Sequence, residues 1–191
     1  GCSDDHITQR AAGDYFPLRE GSWWRYTDQS DTVFVEVEPP ETLLQVECFP
    51  VSHNGTVRYL AKYDGSISQF IMRAYNFAGT DYTLLEDFVV RIELPLVQGN
   101  AYEHVLRDSI IVSGIPVKAT YEVHGEVIGF TSDAAYGDIY EVRIMTIETI
   151  VEPDSTRSDT AETTEFFADG IGMVRFADGT STYELIDHFI P

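Results

Sequence analysis

Basic residues are scarce in this chain. Its 191 residues hold 12 Lys and Arg against 32 Asp and Glu, a formal net charge of −20, and only Lys62 and Lys118 are lysines. Such a charge repels nucleic-acid phosphates and anionic lipid head groups, which excludes a nucleic-acid partner. Cysteine is scarcer still, with only Cys2 and Cys48. Cys2 lies in a polar leader, while Cys48 alternates with apolar residues in a strand-like run and reads as a small buried residue, so the two are not expected to pair. No apolar run reaches the roughly 18 residues of a membrane-spanning helix. The length suffices to bury roughly 70% of the unfolded chain's surface without staples.

The motifs of familiar catalytic chemistry are missing too. There is no G-x-S-x-G elbow, and His6, His53, His104, His124 and His188 are scattered rather than set beside a nucleophile. H-E-x-x-H and C-x-x-C spacings are absent, so zinc has no ready ligand set. Asp4-Asp5, Asp133 and the stretch from Asp154 to Glu165 offer oxygen ligands without a D-x-D-x-D-G loop to arrange them around calcium. The expectation is therefore no enzyme, no metal and no cofactor. With 32 acidic residues some carboxylates come close by chance, and a carboxylate-based hydrolase is the alternative reading.

What the sequence does have is alternation with period two. Val117, Ala119, Tyr121 and Val123 share one face, and Lys118, Thr120, Glu122 and His124 the other, as a half-buried strand requires. The pattern recurs in Val33, Val35 and Val37; in Val57, Tyr59, Ala61 and Tyr63; and in Tyr140, Val142 and Ile144. Asn54-Gly55 joins two such runs as a type I′ hairpin turn, which also accounts for the Asn-Gly-Thr sequon there, and Asp64-Gly65 and Asp178-Gly179 repeat the signal. Gly170 and Gly172 bracket Ile171 at another turn, where positive φ or a bulge redirects the chain; no helix follows them, which argues against a phosphate cradle. Helix signal is confined to Thr83 to Val89, and the polar stretch from Glu152 to Glu162 reads as a long mobile loop. The fold class is all-β, a curved antiparallel sheet, half-barrel or sandwich built from hairpins. Phe16-Pro-Leu-Arg-Glu-Gly21 is echoed by Leu94-Pro-Leu-Val-Gln-Gly99, which suggests similar halves near 15–93 and 94–191 of a single domain spanning 15–191.

Cys2 followed by Ser-Asp-Asp resembles the processed N-terminus of a bacterial lipoprotein, with residues 1–14 as a flexible tether and Cys2 as the lipidated residue. Three further stretches are similar to a group of uncharacterised bacterial cell-envelope lipoproteins: Tyr15 to Tyr26 with its Phe-Pro-Leu, Gly and Trp, Val127 to Val142 with its paired strands, and Phe166-Phe-Ala-Asp-Gly-Ile-Gly-Met-Val-Arg175. Asp169 stands where that group usually has Pro. The resemblance implies an envelope location, a membrane contact through the lipid, and a LolA/LolB-like half-barrel with an apolar concave face. On that scaffold the expected function is non-catalytic: a binding or structural module presenting the face to a lipid, a hydrophobic peptide or an envelope protein.

The 11 Tyr, 11 Phe and 2 Trp could line such a face, but in a sheet protein aromatics serve as core more often. Trp23 and Trp24 are adjacent, so a strand points them to opposite sides and only one can be fully inside. Trp23, Trp24, Tyr26 and Tyr121 are the candidate ligand or partner surface.

Overall fold

A computed structural model describes residues 13–63 and 65–191 of the chain. Cys2, His6, Asp4-Asp5, Asp64 and nearly all of the tether lie outside the described residues. Among the described residues there is no helix. Thirteen strands follow one another: β1 Trp23–Thr27, β2 Thr32–Val37, β3 Glu41–Leu43, β4 Val46–His53, β5 Thr56–Tyr63, β6 Ser66–Phe77, β7 Thr80–Glu93, β8 Ala101–Val112, β9 Ile115–Asp133, β10 Gly137–Glu152, β11 Ser155–Ala168, β12 Gly172–Ala177 and β13 Thr182–Phe189.

Apart from β3, which pairs only with β4, and the break between β7 and β8, successive strands pair in one antiparallel sheet, with β2 beside β4 and β1 beside β13. The order β7-β6-β5-β4-β2-β1-β13-β12-β11-β10-β9-β8 bends the sheet into a nearly closed barrel, more complete than the expected half-barrel. The gap lies between β7 and β8. No ladder joins them; instead Tyr102 Oη donates to the Arg91 carbonyl at 2.6 Å, and the Val90 amide donates to His104 Nδ1 at 3.3 Å. Two side chains of β8 thus satisfy backbone groups on the exposed edge of β7, which would otherwise be a template for pairing with another chain.

Alternation in β2 and β9 translates directly into burial. Val33, Val35 and Val37 are buried, as are Val117, Ala119, Tyr121 and Val123. Asn54 and Gly55 take φ of 47° and 84°, as the I′ turn between β4 and β5 demands. Cys48 is completely buried in β4.

Two local expectations are corrected. Thr83 to Val89 is not helical but sits inside β7, where the register passes from Arg73↔Leu85 to Ala74↔Thr83 and leaves Leu84 as an extra residue. This bulge explains why the consecutive Leu84 and Leu85 are both buried, a pattern that mimics helical spacing. The stretch from Glu152 to Glu162 is not a loop. β10 runs to Glu152, Pro153-Asp154 make the turn, and β11 pairs from Ser155 onward, with Thr149 and Ser158 hydroxyls 3.1 Å apart across the ladder. Its polarity reflects a hairpin end exposed to water.

The two Pro-Leu segments are built alike. The Gly21 amide donates to the Val37 carbonyl and the Val37 amide to the Ser22 carbonyl; the Gly99 amide donates to the Val127 carbonyl and the Val127 amide to the Asn100 carbonyl. Both glycines have positive φ, and Leu18 and Leu96 are both buried.

Candidate functional site

The four aromatic candidates do not form a surface. Trp24 is 3% exposed, and its indole Nε1 donates to the Ile171 carbonyl at 2.7 Å. Tyr26 is 1% exposed and donates to the Met173 carbonyl at 2.8 Å; burial, then the nearby charge of Glu165, pushes its phenol pKa well above the usual value. Both belong to the core, because an aromatic with a polar tip can be buried once that tip has a partner. Trp23, as its neighbour's opposite, is half-buried against the ring of Phe34, 5.8 Å away. Tyr121 is buried beneath the Arg73 guanidinium, 5.5 Å from its ring centre.

The glycine turn fixes this core. Gly172 has φ of 96°, and a Cβ there would meet Pro17 Cδ at 3.1 Å and the Trp24 ring at 3.4 Å. Gly170 has φ of 73° with open space around it, and its amide donates to the Asp14 carbonyl at 3.0 Å. The Asp14 amide in turn donates to Asp169 Oδ1 at 2.7 Å. The carboxylate of Asp169 thus takes a donor from the segment leading into the barrel, a bond that Pro could not accept at its side chain.

The polar centre of the molecule lies inside the barrel. Arg91 on β7 forms an ion pair with Glu165 on β11, and the two side chains are only 13% and 8% exposed. Arg91 also reaches Gln69 Oε1 at 3.5 Å, and Thr163 Oγ1 lies 3.4 Å from Glu165. A second pair, Arg73 on β6 with Glu148 on β10 at 2.7 Å, likewise connects strands that are not neighbours in the sheet. Both pairs cross the interior and tie one half of the barrel to the other.

Beside Arg91 and Glu165 is a cavity with two lobes, of about 150 and 50 Å³, sharing His53, Arg58, Glu165 and Met173 in their walls. It lies between β4–β5 and β11–β12. Phe176 and Tyr183 wall the larger lobe, while Phe16, Val35, Val51 and Leu60 wall the smaller one. Arg58 lines both lobes while remaining exposed to water; a partial loss of hydration, then the charge of Arg91, lowers its guanidinium pKa, against the opposing influence of Glu165 and Tyr121. Among the described residues Arg58 makes no hydrogen bond and no ion pair. The His53 ring stands edge-on to Phe176, with centroids 5.8 Å apart. Burial, then Arg58, lowers its imidazole pKa, while Glu165 and Asp178 act in the opposite direction.

Arg58 and its cavity were not legible in the sequence, and the reason is specific. The apolar alternation Val57, Tyr59, Ala61, Tyr63 points to one face of β5, on which Ala61 is buried while Val57 and Tyr63 are 42% and 43% exposed; Arg58 lines the cavity from the other face, alongside buried Leu60. Glu165 carried a fainter signal, since it shares a face with Phe167, which is fully buried.

One group with metal-ligating atoms lies on the opposite side of the sheet from Tyr121 and Val123. Glu103 and His124 are cross-strand partners on β8 and β9, and with Glu122 their ligand atoms lie within 4.8 Å of one another. Glu122 already engages His124 Nε2 at 3.2 Å, which accounts for the arrangement without an ion. Asp133 accepts the amides of Ala135 and Tyr136 and so serves its own turn.

No protein-family model matches the chain, and none of the curated proteins matches it. Among solved structures it is similar to a lipoprotein candidate from Parabacteroides distasonis ATCC 8503, with 14% identity over 94% of this chain and 100% of that one and a TM-score of 0.46. It is also similar to an exported-protein candidate with a YmcC-like fold from Bacteroides fragilis NCTC 9343, with 14% identity, the same coverage and a TM-score of 0.39. At these scores neither likeness assigns a function to this chain.

Proposed function

We propose that the chain is a non-catalytic binding module of the bacterial cell envelope, held to a membrane through a lipid on Cys2, that takes a small amphiphilic ligand into the unfilled part of its barrel. The observation that carries this reading is the two-lobed cavity between β4–β5 and β11–β12. A barrel serving only as a spacer gains dispersion contacts by filling such a space with side chains. Here the space is kept, apolar on one side and charged on the other. That favours a ligand with an apolar part, a lipid fragment or hydrophobic peptide, over a wholly polar one.

The alternative, a carboxylate-based hydrolase, needs two carboxyl groups facing each other across a scissile bond. In this cavity Glu165 faces the guanidinium of Arg91, and Asp178 accepts the Ser181 amide at 3.3 Å. The arrangement supports binding rather than hydrolysis.

Native mass spectrometry of the full chain purified without detergent, followed by organic extraction, tests the reading. A stoichiometric adduct that extracts as one chemical class is expected. A bare mass, unchanged after incubation with envelope extract, would overturn it.

A further inference from the structure

The charges inside the barrel do not balance in the way the surface pairs do. Arg91 takes Glu165, Arg73 takes Glu148, and Arg58 is left with no ion pair among the described residues, although it lies in the field of Arg91. Two guanidiniums beside the buried carboxylate of Glu165 repel each other; Arg91 is largely withdrawn from water, whereas Arg58 keeps an exposed side. Asp178 does not relieve this. It lines the larger lobe yet is exposed, accepts the Ser181 amide and forms no ion pair with Arg58.

The placement is more pointed in a chain of net charge −20, where acidic partners for an arginine are abundant. A guanidinium presents five donors in a planar fork that fits the two oxygens of a carboxylate or phosphate. At Arg58 that fork opens on a lobe of about 150 Å³, some ten times the 10–15 Å³ of probe-occupied space that admits one water. Apolar side chains line the adjoining lobe, so an anionic group at Arg58 would leave the rest of its molecule against Val35, Val51 and Leu60.

Resting on the binding reading above, we infer that this cavity is an oxyanion site: Arg58 receives the carboxylate or phosphate of the ligand, and the smaller lobe receives its apolar part. Arg91 and Glu165 flank the site, their ion pair engaging the buried carboxylate of the cavity and leaving Arg58 without an ion pair among the described residues. The external charge of the protein disfavours anions in general, so an anion that binds must do so through a local contact of this kind.

Calorimetry on the full chain with three probes, sodium hexanoate, inorganic phosphate and 1-hexanol, tests the inference. Hexanoate or phosphate is expected to bind, with affinity falling at least tenfold in Arg58→Gln, falling less in Arg58→Lys, and unchanged in Arg107→Gln on β8. Hexanoate alone binding would identify an organic carboxylate; phosphate alone binding would identify a phosphate group, free or lipid-borne. Circular dichroism of Arg58→Gln establishes that it folds, and Arg58→Lys carries the test should it not. Equal binding of hexanol and hexanoate, unaffected by either Arg58 variant, would overturn the oxyanion site while leaving a ligand-binding barrel. Failure of every probe would overturn it as well, and a bare native mass in addition would remove the binding reading itself.

Discussion

The hydroxyl of Tyr102 on β8 donates to the backbone carbonyl of Arg91 on β7 at 2.6 Å, and the side chain of the same Arg91 holds Glu165 inside the barrel. One residue therefore joins the seam on its backbone side to the interior charges on its side-chain side. Tyr102 reaches that carbonyl by lying across its cross-strand partner Gly125, where a Cβ would come within 1.9 Å of the ring. The phenol is buried enough that its pKa is pushed well above the usual value, so it remains a donor throughout the physiological range.

Tyr102→Phe should cost about 1–2 kcal/mol, the penalty for leaving a buried carbonyl without its donor. Gly125→Ala should cost about 1–3 kcal/mol because it displaces the ring altogether. Denaturant midpoints measure both, and amide exchange should quicken in β7 more than in β10. Unchanged exchange along β7 would mean that the seam does not depend on this bond.

Glu165→Gln should destabilise the fold by about 3 kcal/mol, since it leaves the Arg91 charge buried without its partner. Replacing both, Arg91→Met with Glu165→Leu, should recover most of that loss, because apolar residues of similar size escape the cost of dehydrating two ions. A double variant no more stable than Glu165→Gln would show that the pair holds the two sheet halves by more than charge.

His53 sets a pH dependence whose sign follows from its surroundings. Burial and the charge of Arg58 favour the neutral ring over the charged one, outweighing Glu165 and Asp178, so the folded-state pKa lies below the ordinary 6.5. Between these two values the unfolded chain binds the extra proton, and stability rises with pH. The contribution of His53 is fully present above pH of about 6.5 and is lost as pH falls through the folded value. Melting temperatures measured across that range should fall less steeply on acidification in His53→Gln than in the wild type; parallel curves would count against this account.

Gly170 and Gly172 both need positive φ, but only Gly172 lacks room. Gly170→Ala should cost about 1 kcal/mol for the backbone alone, and Gly172→Ala about 2–3 kcal/mol, because its methyl group presses on Pro17 and Trp24. Tryptophan fluorescence separates them: Gly172→Ala should shift the emission of the buried indole, and Gly170→Ala should leave it in place.

The legible parts of this fold were those in which one strand face is wet and the other dry. β2 and β9 have that property, and their buried residues followed from alternation alone. Asn54-Gly55 and the glycine turn at 170–172 were legible because only certain residues tolerate positive φ. The failures have separate local causes. The cavity wall is partly polar, so hydrophobic alternation on β5 followed Val57, Tyr59, Ala61 and Tyr63 and passed over Arg58 on the other face. At β7 an inserted Leu84 broke the period, and at β10–β11 a hairpin end wet on both faces looked like a loop. Trp24 and Tyr26 were read as surface candidates because the carbonyls of Ile171 and Met173 that satisfy them lie on the far side of the chain, 147 residues away in each case.

The unladdered seam gives the barrel an address for change. Every other strand boundary on the ring is held by a run of backbone bonds that must break together, whereas β7 and β8 meet through a phenol and an imidazole. Whatever alters the electrostatic load on Arg91 acts on a residue whose own carbonyl forms that seam, so, on the binding reading proposed above, solvent exchange at the adjacent Val90 amide is expected to change when the interior is filled, a signal readable from outside without a label.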